Sequence, residues 1–328
     1  MKRLISIIIS LLILTAIYWK IDFSGLIKVF QNSHPVWMVI SVSMIAPLTM
    51  LTAWRLQQLM PKRGNKSSSY LNFGEANQLI LAASVLNMIL PSKMGDIVKA
   101  YFMKQRGHLE GSLSLSLVIF EKACDLVSLL IWCAFGLIVY PEKDLLFWVM
   151  TAGVTLGLII GLLLLSSRKF TNIFFQIARK IAPKKIYSKI DSLELSWIEM
   201  HRYFWHDKVQ LTKIATTSIF IWFGHLLQIW FFTLALNVSV PLLASLALSP
   251  LAILAGLLPL TFAGVGTRDA AFILFYQPYF STEVGAALGL LCTSRYVLPA
   301  IAGLPFFGKY LVGINKMESL RKSEGIGE

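Results

Sequence analysis

Three ionisable residues, Glu121, Lys122 and Asp125, interrupt residues 112–140, a segment that otherwise has the composition of a membrane-spanning helix. Each ionised group at that depth costs about 2.5–3.5 kcal/mol on membrane-insertion scales. The two carboxylates are four residues apart, so they lie on one helix face, where like charges repel. Cations from elsewhere in the chain must therefore compensate them inside the protein.

The amino-acid composition places the chain among all-α integral membrane proteins. Of its 328 residues, 56% are hydrophobic and 14% are charged, and the mean hydropathy is +0.68. Apolar stretches close to the length of a membrane-spanning helix recur along the chain, more than a soluble core of this size requires. These stretches are residues 4–19, 37–54, 71–90, 112–140, 145–166, 211–236, 242–262 and 284–310. We therefore predict a single polytopic membrane domain over residues 1–328.

The positive charge of the chain is concentrated between the apolar stretches. The net charge is +13, and Lys and Arg cluster at residues 2–3, 55–66, 93–106, 168–208 and 309–322. Cytoplasmic loops that face anionic lipid carry such clusters, so the charge indicates a membrane surface rather than nucleic acid as partner. With all the clusters inside, we predict a multi-pass protein of the cytoplasmic (inner) membrane with both termini in the cytoplasm.

This topology requires two of the apolar stretches to enter the membrane and return to the same side. Pro91 ends one such stretch and is followed by Gly95, and Pro259 ends the other. Proline stops a helix because it lacks an N–H and clashes with the preceding turn. We predict about six full spans plus re-entrant helical hairpins at residues 71–105 and 242–280. The alternative is that proline and glycine only kink two ordinary spans.

The two predicted hairpins have opposite orientations, as in an inverted repeat. We assign one to a first half at residues 1–140 and the other to a second half at residues 211–310. Between the halves, residues 167–210 form a predicted cytoplasmic loop in which apolar and basic residues recur at helical spacing. Broken helices in corresponding places of two halves indicate a transport site near the middle of the membrane.

A glycine-rich break in the second hairpin has the chemistry of an anion site. Gly264, Gly266 and Thr267 precede a short apolar helix, so free N–H groups and the positive end of a helix dipole meet there. Arg268 follows at once and supplies a planar, permanently charged fork that suits a phosphodiester. We predict that this loop cradles the phosphate of a lipid, and that the loop of Lys93 offers a similar arrangement.

Acidic and basic residues are nearly balanced in the elements expected at membrane depth. The acidic ones are Asp96, Glu121, Asp125 and Asp269, and the basic ones are Lys93, Lys122, Arg268 and Arg295. One interpretation is a buried ion-pair network that only holds the helices in register. The other is a polar cavity for a lipid head group, which we favour because apolar packing holds helices together at a lower desolvation cost. We predict no catalytic or metal-binding residues, and we interpret His225 and Gln228 as interhelical hydrogen-bond partners.

Three motifs resemble those of the flippase-like transmembrane region of lysylphosphatidylglycerol synthases. They are NxxLPxxxGDxxK at residues 87–99, EKxxD at residues 121–125 and PxxxxGxGxRD at residues 259–269. The resemblance keeps the motif order and implies a polytopic helical protein. In its best-known members this region moves aminoacylated phosphatidylglycerol between leaflets, beside a soluble aminoacyl-transferase domain. The sequence ends at Glu328, so we expect a stand-alone membrane domain without that enzyme domain.

From these observations we expect a lipid flippase, or a transporter of a lipid-linked intermediate, that needs no cofactor. Its partners would be membrane lipids with an anionic head group, and it could also form a homo-oligomer. One alternative is a membrane-embedded transferase, which would need a catalytic constellation and a donor site. Another is a non-transporting partner of an envelope-biosynthesis enzyme, which would neither retain lipid nor move it.

Overall fold

A computed structural model describes residues 23–60, 71–89, 95–105, 111–140, 143–183, 187–258, 261 and 264–323, and the regular elements in these ranges are all helices. In chain order they are α1 (Phe23–Gln31), α2 (Pro35–Ser43), α3 (Ile45–Leu59), α4 (Phe73–Ile89), α5 (Gly95–Gln105), α6 (Gly111–Val139), α7 (Leu145–Ser166), α8 (Arg168–Ile181), α9 (Tyr187–Phe204), α10 (Lys208–Ala235), α11 (Leu242–Leu257), α12 (Thr267–Phe275) and α13 (Thr282–Ser323). The predicted all-α class is confirmed.

Within the described ranges, five segments are long and apolar enough to cross a membrane, as expected of a polytopic protein. They are Pro35–Leu59 (α2 with α3), Leu113–Val139, Leu145–Ser166, Lys208–Ala235 and Thr282–Gly308. Each corresponds to one of the six predicted full spans. The remaining one, residues 4–19, lies outside the described residues. The α11 helix is apolar but shorter than these spans.

The two predicted hairpins are pairs of helices that pack together, α4 with α5 and α11 with α12. A Cβ atom added at Gly95 would lie 2.4 Å from the carbonyl oxygen of Ala83, so α5 begins directly against α4. Gly264 has φ +75°, and a Cβ there would lie 2.4 Å from the carbonyl oxygen of Gly256. Glycine is required at both places because no side chain fits. The return of each hairpin to the same side of the membrane stays a prediction, and Pro91, Lys93 and Pro259 lie outside the described residues.

The helix pairs pack reciprocally on the two long charged helices. The first helix of one pair, α4, packs on α13, and the first helix of the other, α11, packs on α6. Glycine permits both crossings: a Cβ at Gly303 would lie 2.2 Å from the carbonyl oxygen of Leu81, and a Cβ at Gly136 would lie 2.1 Å from that of Ala247. Each pair thus contacts the long helix of the opposite half, and the inverted repeat stays a prediction.

The α8 and α9 helices occupy the predicted amphipathic loop. On α8, Thr171 and Phe175 are buried while a row of apolar residues is exposed. That row is Ile173, Phe174, Ile177 and Ile181. The indole N–H groups of Trp197 on α9 and of Trp205 just after it donate to the carbonyls of Leu164 and Leu165 at 2.9 and 2.8 Å. The last turn of α7 therefore has hydrogen-bond partners, and α9 is fixed against the end of that span.

Two hydrophobic clusters form the core of the part of the chain that the structure describes, and α6 contributes to both of them. Phe120 belongs to the cluster that includes Phe204, whereas Leu129 belongs to the cluster that includes Phe272. The charged residues of α6 lie at and beside the transition between these clusters. The packing therefore leaves room for polar groups along this part of α6.

Candidate functional site

Arg55, near the end of α3, is the centre of a buried ion-pair network. Its side chain is 2% exposed. Nη2 donates to Glu121 Oε1 at 3.1 Å and to Asp125 Oδ2 at 3.2 Å, and Nη1 donates to Asp125 Oδ1. Nη1 also donates to Ser218 Oγ at 3.0 Å. The two carboxylates of α6 that repel each other are thus bridged by one guanidinium, whose fork suits such an arrangement.

Two lysines complete the network. Lys99 Nζ lies 2.9 Å from Glu121 Oε2 and 3.1 Å from Asp96 Oδ1. Lys122 Nζ lies 3.0 Å from Asp96 Oδ2 and 3.8 Å from Asp125 Oδ2. Each carboxylate therefore has two cationic partners, and each cation has two carboxylate partners. The charges of this set cancel formally.

The structure brings Asp96, Glu121 and Asp125 together with Arg55, Lys99 and Lys122 as their cationic partners. Arg268 and Arg295, two of the basic residues expected at membrane depth, do not pair with the α6 carboxylates; Arg55 and Lys99 do. Arg55 was grouped with the cytoplasmic cluster because it follows the apolar part of its span. The signal available in the sequence was the unmatched charge count, since two α6 carboxylates with one α6 lysine require further cations.

Arg268 and Asp269 form a second, separate cluster. Arg268 Nη2 lies 2.8 Å from Asp269 Oδ1 and donates to the Gly289 carbonyl at 3.1 Å and to Thr293 Oγ1 at 2.7 Å. Asp269 Oδ2 accepts from the backbone N–H of Gly266 at 3.0 Å. The groups predicted to hold a phosphate, namely the N–H of the loop and the fork of Arg268, therefore have protein partners here.

The glycines of this loop also have a packing role. Gly266 has φ +98°, a left-handed conformation that glycine adopts at little cost. A Cβ at Gly256 would lie 2.7 Å from Arg268 Cβ, so α11 and α12 approach closely. Thr267 Oγ1 lies 2.8 Å from Thr261 Oγ1. The phosphate cradle at Gly264, Gly266 and Thr267 stays a prediction, and a phosphate there would have to displace Asp269.

A cavity of about 240 Å³ opens beside the first network. All six members of the network line it, together with residues from three further helices. The most polar of these are Asn87 on α4, His225 and Gln228 on α10, and Arg295 on α13. Arg268 and Asp269 are not among the lining residues. Tyr296 lines the cavity, and Arg268 Cζ lies 6.0 Å from the centre of its ring.

Arg295 differs from the other cations of the cavity in its partners. Among the described residues it has no carboxylate within salt-bridge distance, and its Nε is buried without a hydrogen-bond partner. The lining therefore contains one more basic side chain than carboxylates. Arg295 is partly buried, and a cation withdrawn from water without a counter-ion is costly. This arrangement suits the binding of an anion at Arg295, and we call this site the anion seat.

Among the described lining residues outside the ion-pair network, three further side-chain atoms are buried without a hydrogen-bond partner: Asn87 Oδ1, His225 Nδ1 and Gln228 Oε1. Gln228 Nε2 donates to the Ser41 carbonyl on α2 at 2.8 Å. The prediction that Gln228 is an interhelical hydrogen-bond partner is therefore confirmed. His225 shows no such bond through Nδ1; its ring instead lies 5.9 Å from that of Trp222.

The fold and the site together define a polytopic α-helical membrane protein with a charged interior cavity. The sequence matches the lysylphosphatidylglycerol synthase TM region over residues 3–303, and the chain belongs to this family. A UPF0104 membrane protein of Methanocaldococcus jannaschii is 25% identical over 318 residues, which cover 92% of this chain and 93% of that protein. The resemblance carried by the three motifs is thus confirmed.

Proposed function

We propose that this protein moves a lipid with an anionic head group between the leaflets of the membrane, and that Arg295 holds the anion. The observation that carries this proposal is the mismatch of charge in the cavity. Arg55, Lys99 and Lys122 are matched by carboxylates, whereas Arg295 has none among the described residues. A phosphate on Arg295 would complete the neutralisation of the lining.

The position of the cavity supports a lipid as the substrate. Arg295 is at the midpoint of the span Thr282–Gly308. Polar groups at this depth are costly unless they serve a pathway or find partners. A head group could enter the cavity while its acyl chains stay in the surrounding lipid. The family is that of a flippase-like region, which agrees with such a pathway.

The charge network can take part in the transport cycle while its buried members keep their ion pairs. The side chains of Lys122 and Asp125 are 44% and 24% exposed, whereas Arg55 and Glu121 are almost fully buried. The first two can therefore exchange partners with a head group, and the others keep α3 and α6 together. We thus treat the protein as a transporter rather than an enzyme.

A transport assay with matched arginine variants tests this function. Purified protein is reconstituted in liposomes that contain a fluorescent phosphatidylglycerol, and its movement between leaflets is followed by quenching from outside. We expect Arg295→Gln to slow the movement at least about tenfold, the effect of losing one charge-assisted contact. Arg202→Gln removes an exposed arginine of α9 and should keep the wild-type rate. Equal rates for the two variants, or no transport by the wild type, would contradict the proposal.

A further inference from the structure

Gln228 lines the cavity, and its side-chain amide has a fixed orientation. The residue is fully buried on α10. Its Nε2 donates to the Ser41 carbonyl at 2.8 Å, which leaves Oε1 without a partner. The opposite amide orientation would place two oxygens against each other, so the bond to Ser41 determines which atom is free. A buried acceptor without a donor is unfavourable.

Asn87 supplies a second free acceptor from α4. Its Oδ1 is buried without a partner, and a Cβ at Gly95 would lie 2.8 Å from this oxygen. Glycine at position 95 therefore preserves the space that the amide occupies. On α13, Pro299 also lines the cavity, and because proline has no N–H, the Arg295 carbonyl lacks its helical hydrogen bond. The same cavity thus combines an unpaired cation with acceptors that need donors.

We propose that the cavity selects a phosphodiester lipid whose head group carries neutral hydroxyl groups, such as a glycerol, polyol or sugar. This inference rests on the proposed function, because the phosphate is the anion held by Arg295. The hydroxyl groups donate to Gln228 Oε1 and Asn87 Oδ1. These two amides form a hydroxyl subsite, which is distinct from the charge network.

The charge of the lining favours hydroxyl groups over ammonium groups as the donors. Asp96, Glu121 and Asp125 already have cationic partners, so none of the carboxylates in the described lining is free for an additional cation. An aminoacyl head group would add positive charge to a cavity that has an excess of it before the phosphate binds. A hydroxyl group satisfies the same acceptors without this repulsion.

Lipid titration followed by native mass spectrometry tests the hydroxyl subsite on the whole protein. Phosphatidylglycerol and phosphatidylmethanol carry the same single negative charge, but only the former has free hydroxyl donors. We expect wild-type protein to bind phosphatidylglycerol about tenfold more tightly, as two modest hydrogen bonds would give. Lysylphosphatidylglycerol should bind no more tightly than phosphatidylmethanol. Equal affinity for the first two lipids, or tighter binding of the lysyl lipid, would overturn the subsite and leave the anion seat intact. Binding of none of them would contradict both proposals.

Two glutamine variants test whether Gln228 is responsible for the preference for phosphatidylglycerol over phosphatidylmethanol. Gln228→Leu should lower the preference for phosphatidylglycerol at least about threefold, because one of the two acceptors is lost. Its affinity for phosphatidylmethanol should stay at the wild-type value, which also shows that the variant is folded. Gln210→Leu is the matched control: Gln210 is on the same helix and donates to the Gln58 carbonyl at 2.6 Å, but it does not line the cavity. An unchanged preference in Gln228→Leu, or the same loss in Gln210→Leu, would overturn the assignment.

Discussion

Gly303 on α13 crosses α4 so closely that a Cβ atom there would lie 2.2 Å from the carbonyl oxygen of Leu81. The partner in this contact is backbone, which cannot rotate away as a flexible side chain can. The helices α6 and α11 make the same kind of crossing at Gly136. The interface between the predicted halves thus depends on two glycines, as is common where membrane helices approach closely.

Alanine at either crossing should therefore destabilise the protein. We expect Gly303→Ala and Gly136→Ala each to cost about 1–3 kcal/mol, because the helices must separate to admit one methyl group. Thermal unfolding in detergent, followed by the loss of monodisperse protein, measures the effect. Gly308→Ala is the control on the same helix, since a Cβ there meets no described atom within 4 Å. Equal stability of all three variants would contradict the crossing geometry.

The partners of Arg55 lead to a charge-pairing prediction. Arg55→Leu should cost about 3–5 kcal/mol of stability, the range for breaking a buried ion pair from one side. The double variant Arg55→Leu/Asp125→Leu should recover part of this loss, because two cations and two carboxylates then remain in the network. Asp125→Leu combined with Arg295→Leu should give no such recovery, since these two residues do not pair.

An exposed pair provides the control for this cycle. Arg179 of α8 is 38% exposed and pairs with Asp191 at 2.7 Å and with Glu194. Arg179→Leu should cost no more than about 1 kcal/mol, as is usual at a surface. A loss in Arg55→Leu no larger than that in Arg179→Leu would contradict the account of the buried network.

Substitutions at Arg268 separate packing from phosphate binding. Arg268 connects Asp269 on α12 to the Gly289 carbonyl and Thr293 on α13. Arg268→Lys keeps the charge but loses the fork, so we expect both it and Arg268→Gln to lower the melting temperature while the retained lipids stay the same. A change of bound lipid in the folded Arg268→Gln protein would instead support the phosphate cradle predicted from the glycine loop.

The predicted topology can be tested by thiol labelling in intact cells. Ser188 on α9 and Ser281 before α13 are both exposed, and the native cysteines are buried at positions 124, 133 and 292. In a variant whose native cysteines are replaced by alanine, a membrane-impermeant maleimide should label Ser281→Cys from outside. It should label Ser188→Cys only after the membrane is opened. The reverse pattern would invert the orientation.

The spans could be predicted from the sequence because a long apolar run leaves few alternatives at membrane depth. The span predicted at residues 145–166 coincides with α7, Leu145–Ser166. Arg55 could not be assigned in this way. Its position after an apolar run is typical of a cytoplasmic loop, and only the packing of α3 against α6 and α10 carries it into the interior.

The partners of Arg268 escaped prediction for a related reason. Residues adjacent on a helix do not usually face each other, so its ion pair with Asp269 was not expected. That pair depends on the start of α12, where Asp269 also accepts from the Gly266 N–H. Arg295, by contrast, was identified from its depth alone. Its lack of a carboxylate partner became visible once the other charges had been paired.

The lipids that the purified protein retains provide the most direct test of the anion seat. They can be extracted from detergent-purified wild type, Arg295→Gln and Arg202→Gln and quantified by mass spectrometry against the lipids of the host membrane. The account predicts that anionic phospholipids are enriched in the wild type and in Arg202→Gln, and that this enrichment is lost in Arg295→Gln. The same enrichment in all three proteins, or none in the wild type, would contradict it.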